Sequence, residues 1–353
     1  MQLSVSAPGK LILIGEYAVL EGAPALVGAV DRLATITLNP NNKNHYSVTA
    51  ASIDIFDAKF TISENNLVCF QGEKANWLRK RLGFFRNTFE YVWQYCKNSC
   101  PLPDTVFDVE IDTASFYSEE LKTKLGFGSS AAMTVALAKA LFKFAGRDIH
   151  DPINMNRLFR LSLAAHRKAQ GNLGSGIDIA ASTISGVMEY RVGLNNKAEQ
   201  LMPEPIAIWH ELPMLTIFSG SSESTRKMVT GVSDLKRKQP AVYQDLIQNL
   251  TSVSIKGCDA YRDKDINQFL FAVDEYYNQL NLLGTKSGMP IISDVHSKIA
   301  DLVQSKGGVY KPSGAGSGDI GIAFCDNQDK LNAIENIIKE NNFNTINCNF
   351  ISL

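Results

Sequence analysis

Apolar and polar residues alternate, or cluster briefly, along the first third of the chain in the manner of strands. "QLSVSA", "KLILIG", "LATITL", "HYSVTA" and "FDVEID" set β-forming residues between turn formers. One helical stretch interrupts them, "NWLRKRLGFFRNTFEYVWQYC". Its Phe85, Phe89 and Trp93 recur at spacings of four and share a face that belongs in a core. From Ser129 to Ala145 the period is again helical, with Met133, Leu137, Ala140, Leu141 and Phe144 on the apolar side and Gly146 as the stop. A further helix is expected from about Asn154 to Ala169, followed by a strand, "VMEYRV".

The polar, proline-containing stretch "GLNNKAEQLMPEPI" breaks this pattern and predicts a domain boundary near Asn196 to Glu204, dividing the chain into residues 1–200 and 201–353. Beyond it come a strand, "MLTIFSG", helical patterns as far as about Leu282, and a helix near Ser293 to Gln304. The chain closes with a strand–loop–strand unit, "GVYKPSGAGSGDIGIAF", a helix near Lys330 to Glu340, and "INCNFISL". Strands and helices mix without regular βαβ alternation, which predicts an α+β fold. There is no internal repeat.

Composition narrows the partners. At 353 residues there is length for two cores, and 45% hydrophobic with 20% charged residues is the balance of a soluble globular protein. A net charge of -1 gives no reason to expect nucleic acid or an anionic membrane surface, so a charged ligand must be caught by a local cluster. Six cysteines without a C-x-x-C pair and five histidines without H-E-x-x-H spacing point away from zinc. No basic leader precedes an apolar run, and no run approaches the ~20 apolar residues of a membrane span. A reduced, cytoplasmic protein with a small-molecule substrate is expected; monomer and homodimer stay open.

Three glycine-rich stretches carry the chemistry. In "KLGFGSSAAMTVALAKAL", Gly126, Gly128, Ser129, Ser130 and Ala131 lead into a helix whose first N–H groups lack partners. Such a loop can wrap a phosphate, with the serine hydroxyls on its oxygens or on Mg²⁺, or it can simply cap the helix. It is not the G-x-x-x-x-G-K-[ST] loop. In "GNLGSGIDIAAS", Ser175 and Asp178 have the spacing of a capping box, the commoner role, though Asp178 could also serve as a base or orienting group. In "KPSGAGSGDIGIAF", Gly314, Gly316 and Gly318 exceed what a hairpin turn needs and suggest close approach of a ligand; Asp319 follows them. Lys10, in "SAPGKLILIGEYAVLEG" with Glu16 and Tyr17, reads by itself as a solvated strand-edge lysine.

Taken together, these stretches resemble the three motifs of the GHMP kinases, "APGKLILIGEYAVL", "GFGSSAAMTVALAKAL" and "SGAGSGDIGIAF", over essentially the whole chain. Within that family "AHRKAQGNLGSGIDIAAS", Asp319 and Tyr17 are most like the phosphomevalonate kinase branch. The resemblance implies a ribosomal-protein-like N-terminal domain and a ferredoxin-like C-terminal domain with the site between them. It implies ATP and Mg²⁺, with 5-phosphomevalonate as acceptor. It makes Lys10 and Asp178 catalytic, the loop from Gly126 through Gly128, Ser129 and Ser130 to Ala131 the ATP-phosphate seat, and Tyr17, Ser175, Gly314 and Gly316 substrate contacts. Where mevalonate kinases carry a Mg²⁺-binding glutamate, this chain has His166. The resemblance therefore leaves Mg²⁺ to Ser130, the ATP phosphates and water. Alternatives within it are a mevalonate kinase and a nucleotide-binding homologue without catalysis. Arg167, Lys168, Arg226 and Lys311 are candidate handles for a substrate anion, each otherwise a solvated surface charge, and "SGSSESTRKMV" is a further possible anion seat.

Overall fold

The computed structural model describes residues 2–172, 174–193, 202–220 and 225–352. The expected boundary near 196–204 falls mostly outside these residues. So does the serine cluster at 221–224, together with the side chains of Thr225 and Arg226.

The two apolar runs at the start form one strand, β1 (Leu3–Ile14), rather than two, because the ladder absorbs Pro8-Gly9 as a bulge. Its partner β2 (Ala25–Asn41) is 17 residues long, where the sequence pattern suggested only Leu33 to Leu38. Then come β3 (Tyr46–Ala50), β4 (Ile55–Ile62) and β5 (Val68–Phe70). The expected helix is two, α1 (Ala75–Arg81) and α2 (Gly83–Ser99), broken at Leu82 ahead of Gly83. β6 (Val106–Asp112) and the short pair β7 (Tyr117–Ser118) and β8 (Thr123–Lys124) lead to α3 (Ser129–Phe144). α4 (Pro152–Ala169) starts on Asp151, whose carboxylate accepts from the Asn154 N–H, with Pro152 in the first turn. α5 (Ile177–Ile184), β9 (Val187–Tyr190) and β10 (Pro205–Ile206) complete the unit.

These strands make an eight-stranded sheet in the order β10-β9-β2-β6-β3-β4-β5, with β1 along β2. α2, α3, α4 and α5 pack on it and on one another around Phe60, Phe85, Phe89 and Phe107. Phe89 and Trp93 stack 5.2 Å apart, the core role expected of that aromatic face. β1 is buried on both faces beyond Gly9: Ile12 joins this core, whereas Leu11 and Leu13 join a second one shared with the rest of the chain.

The rest of the chain supplies β11 (Met214–Phe218), α6 (Thr225–Lys238), α7 (Pro240–Asp263), α8 (Ile266–Ser287), α9 (Asp294–Gln304), β12 (Val309–Ser313), β13 (Ile320–Phe324), α10 (Gln328–Glu340) and β14 (Asn344–Ile346). The second core lies between α6, α7, α8 and the strands, while Ile299, Val303, Ile334 and Ile338 of α9 and α10 form a third cluster with Ile217 and Tyr310. The four strands form an antiparallel sheet in the order β12-β13-β11-β14, the arrangement of a ferredoxin-like unit. The C-terminal tail returns to the first sheet, where Ile351 N–H donates to the Ala29 carbonyl. Among the described residues no helix is long and apolar enough to cross a membrane.

The two sheets are joined by polar groups buried beside β1. Ser313 Oγ accepts from the Ile12 N–H at 3.0 Å and donates to the Ile12 carbonyl at 2.9 Å. Lys311 Nζ lies 2.5 Å from Glu16 Oε1, both side chains almost wholly buried. Burial pulls the Lys311 pKa down and Glu16 opposes that pull. The same Oε1 accepts from the Gly314 N–H, and Tyr276 donates its hydroxyl to the Glu16 carbonyl at 2.7 Å. Removing one charge would strand the other in a dry interior. Lys311→Met should therefore cost about 3–5 kcal/mol in urea unfolding, and the Glu16→Gln/Lys311→Met pair less than the sum of its singles.

Candidate active site

The three glycine-rich stretches meet at one cavity of about 270 Å³ between the two sheets. Lys10, Ile12, Glu16 and Tyr17 reach it from β1 and the turn after it. Gly126 to Ser130 come from the start of α3, Ser175 and Asp178 from the start of α5, and Ser313, Gly314, Ala315 and Asp319 from the β12–β13 loop. Of the residues expected to form the site, Ala131 and Gly316 do not line the cavity. Ala131 is buried, its N–H bonded to the Gly128 carbonyl, and Gly316 packs so tightly on Ile291 that a Cβ there would sit 2.4 Å from the Ile291 carbonyl oxygen.

Glycine is needed where the loops touch. Gly126 and Gly128 both have φ +81. A Cβ on Gly126 would lie 2.6 Å from the Asp319 Cβ, and one on Gly128 3.1 Å from the Lys10 side chain. The Lys10 N–H donates to the Phe127 carbonyl at 2.9 Å, which fixes the second loop to β1. No side chain caps α3, so its serines do not take the capping role. The capping box foreseen at α5 is also absent: Ser175 Oγ accepts from the Ile177 N–H at 3.3 Å, and Asp178 Oδ1 from the Ile179 N–H at 2.9 Å.

Lys10 is buried, contrary to its solvated reading. Burial lowers its pKa, and the carboxylates of Asp319, Asp178 and Glu16, in that order, act against the drop. Lys10 is thus a buried cation among three carboxylates at the cavity wall. Lys311, the other lysine expected at the surface, is fully buried on Glu16 and belongs to the frame of the site. A carboxylate inside the apolar run "KLILIGEYAVL" was the signal that a buried cation had to exist. Arg167 donates to the Ser175 carbonyl at 2.8 Å, holding that loop, and Lys168 lies over the Tyr91 ring.

Tyr17 sits at φ 61, ψ -52, the centre of a three-residue turn closed by Ala18 N–H on the Glu16 carbonyl at 2.7 Å. That conformation is strained for a bulky residue. It persists because the Tyr17 hydroxyl donates to the Ala315 carbonyl at 2.5 Å, tying the first motif to the third.

Among the described residues no three His, Cys, Asp or Glu side chains are placed to hold an ion. Ser130 Oγ is already 3.1 Å from His166 Nε2.

Residues 87–186 match the profile described as GHMP kinases N terminal domain. The chain carries a GHMP kinase N-terminal domain. The phosphomevalonate kinase of Streptomyces sp. (strain CL190) is 28% identical over 344 residues, covering 91% of this chain and 89% of that one. The mevalonate kinase of Thermococcus onnurineus (strain NA1) is 25% identical, covering 77% and 73%. The Streptococcus pneumoniae phosphomevalonate kinase, in complex with phosphomevalonate and AMPPNP, has the same fold, with a TM-score of 0.78 at 19% identity over 99% of this chain and all of that one. The chain is thus an ATP-dependent phosphotransferase with a GHMP kinase N-terminal domain.

A buried lysine with a lowered pKa loses its charge earlier on the alkaline side than a solvated one, and only the ammonium can offset phosphate charge. The kcat/KM for ATP, which reports the free enzyme, should therefore fall with rising pH at values below 10.5. In Lys10→Arg, whose guanidinium does not titrate there, that alkaline limb should vanish from the pH profile even though the rate is lower.

Proposed function

We propose that the chain is a phosphomevalonate kinase, transferring the γ-phosphoryl group of ATP to the phosphate of (R)-5-phosphomevalonate in the mevalonate pathway. An acceptor phosphate oxygen attacks the γ-phosphorus, the bond from that phosphorus to the β,γ-bridging oxygen breaks, and ADP leaves. Positioning and charge neutralisation do most of this work. In this reading the loop from Gly126 to Ser130 holds the β- and γ-phosphates of Mg²⁺–ATP, and Lys10 bridges the transferring group and the acceptor oxygen. Tyr17, Ser175 and Gly314 border the acceptor.

The observation that carries the choice of acceptor is the engagement of Asp178. Its Oδ1 takes the Ile179 N–H, and its Oδ2 lies 3.8 Å from a buried imidazole nitrogen. Beside Lys10, whose charge it supports, Asp178 is placed to orient the lysine and the acceptor, a role that strips no proton. A phosphate monoester, with its second pKa about 6, arrives without that proton, whereas an alcohol needs it removed. The similarity to a phosphomevalonate kinase along nine-tenths of the chain supports the same choice.

A second reading takes mevalonate as acceptor, favoured by the similarity to mevalonate kinases. An ADP-release assay with both acceptors side by side separates the two: kcat/KM should be higher for 5-phosphomevalonate, and faster turnover of mevalonate would reverse the assignment. Nucleotide binding with transfer to neither would mark a non-catalytic homologue. Asp178→Asn should lower kcat by about 10²-fold, the cost of a misplaced reacting group; near-normal turnover would remove Asp178 from the site's machinery.

A further inference from the structure

His166 lies on α4, behind the cavity wall and not in it. Its side chain is 2% exposed. Phe84 packs against the ring, centroids 5.0 Å apart at 34°. One nitrogen, Nε2, faces two groups from different elements: Ser130 Oγ at 3.1 Å, in the first turn of α3, and Asp178 Oδ2 at 3.8 Å, in the first turn of α5. The sequence shows His166 only as the residue standing where a glutamate might be. In the fold its side chain meets both.

The neighbours decide where the ring proton sits. A bare Nε2 would turn its lone pair toward the Asp178 carboxylate, lone pair against negative charge, from a buried ring. A proton on Nε2 removes that repulsion and gives Ser130 Oγ a donor. A hydroxyl that accepts from the imidazole has its own hydrogen free to rotate toward the cavity.

We infer that His166 is a positioning residue: its Nε2–H donates to Ser130 Oγ, turns the Ser130 hydroxyl proton toward the terminal phosphates of the nucleotide, and locks that serine in register with Asp178. The inference rests on the reading of the second glycine loop as the phosphate seat. It gives Ser130 the task of a phosphate donor in place of that of a metal ligand. It also makes the α3 and α5 ends of the site one unit, so that a change at either serine or imidazole removes the same hydrogen bond to phosphate.

The test is a cycle of His166→Leu, Ser130→Ala and the double variant, read by AMPPNP titration calorimetry and by kcat and KM for ATP. Each single variant should weaken AMPPNP by about tenfold, the worth of one hydrogen bond to a charged group, and the double variant by no more than either single. His166→Gln, which keeps an N–H donor on a side chain of similar reach, should recover binding to within threefold of the parent. Additive losses in the cycle, or a His166→Leu variant that binds AMPPNP like the parent, would overturn the inference. If His166→Leu melts below the assay temperature, His166→Gln and Ser130→Ala decide: a Gln variant as weak as Ser130→Ala refutes it. A parent chain that does not bind AMPPNP at all would instead refute the proposed function.

Discussion

The contact between Glu16 and Lys311 sets the geometry of everything else at the site. One carboxylate oxygen accepts from a lysine on β12 and from the Gly314 N–H, and the carboxylate and the ammonium are both almost wholly buried. The pair adds little net stability over a packed apolar substitute, since dehydrating two charges costs about what their attraction returns. Its effect is on specificity of arrangement. A carboxylate that can be satisfied in only one register of β1 against β12 excludes the neighbouring registers, each of which would leave a charge unpaired. Lys10 sits on the same strand as Ile12, and Gly314 on the loop leaving β12. The register therefore also fixes how far the ammonium lies from the third glycine loop, about 3.7 Å from where a Cβ on Gly314 would be.

Around that frame the cavity wall carries charges of both signs. Asp319, Asp178 and Glu16 all act on Lys10, and Glu16 is already committed to Lys311. The carboxylates then have a clear use before the substrate arrives: they keep the buried ammonium charged against the pull of its own desolvation. The strain at Tyr17 belongs to the same logic. Its turn brings the phenol onto Ala315, and relaxing the backbone would release the loop that carries Gly314 and Ala315.

Much of this was legible in the chain, and the parts that were not share a cause. The glycine stretches were readable because a φ of +81 beside a helix start favours glycine, and Gly126 and Gly128 both adopt it. The α3 period and the aromatic face of α2 were readable because each is a local pattern. The sequence does not show that Gly126 meets Asp319, nearly two hundred residues away, or that Lys311 turns inward. A single lysine carries the same letter whether solvated or paired. The break at Leu82 was hidden because the apolar spacing runs through it. Ser175 and Asp178 have the spacing of a cap, yet each bonds a different N–H, so the motif's spacing survived while its hydrogen bonds did not. His166 was visible only as a departure from a pattern, and a departure says nothing of what the new side chain touches.

A consequence of building the site this way is that binding and folding use the same contacts. Tyr17–Ala315, Glu16–Gly314 and Ser313–Ile12 are at once the joints between the two sheets and the walls or near neighbours of the cavity. A ligand that fills the cavity touches both sides of those joints, so it must favour whichever relative placement of the sheets keeps them all made. Conversely, a substitution that loosens a joint should not merely destabilise the chain. It must also lower affinity, because part of the binding energy is then spent restoring the register that the buried pair had held without a ligand.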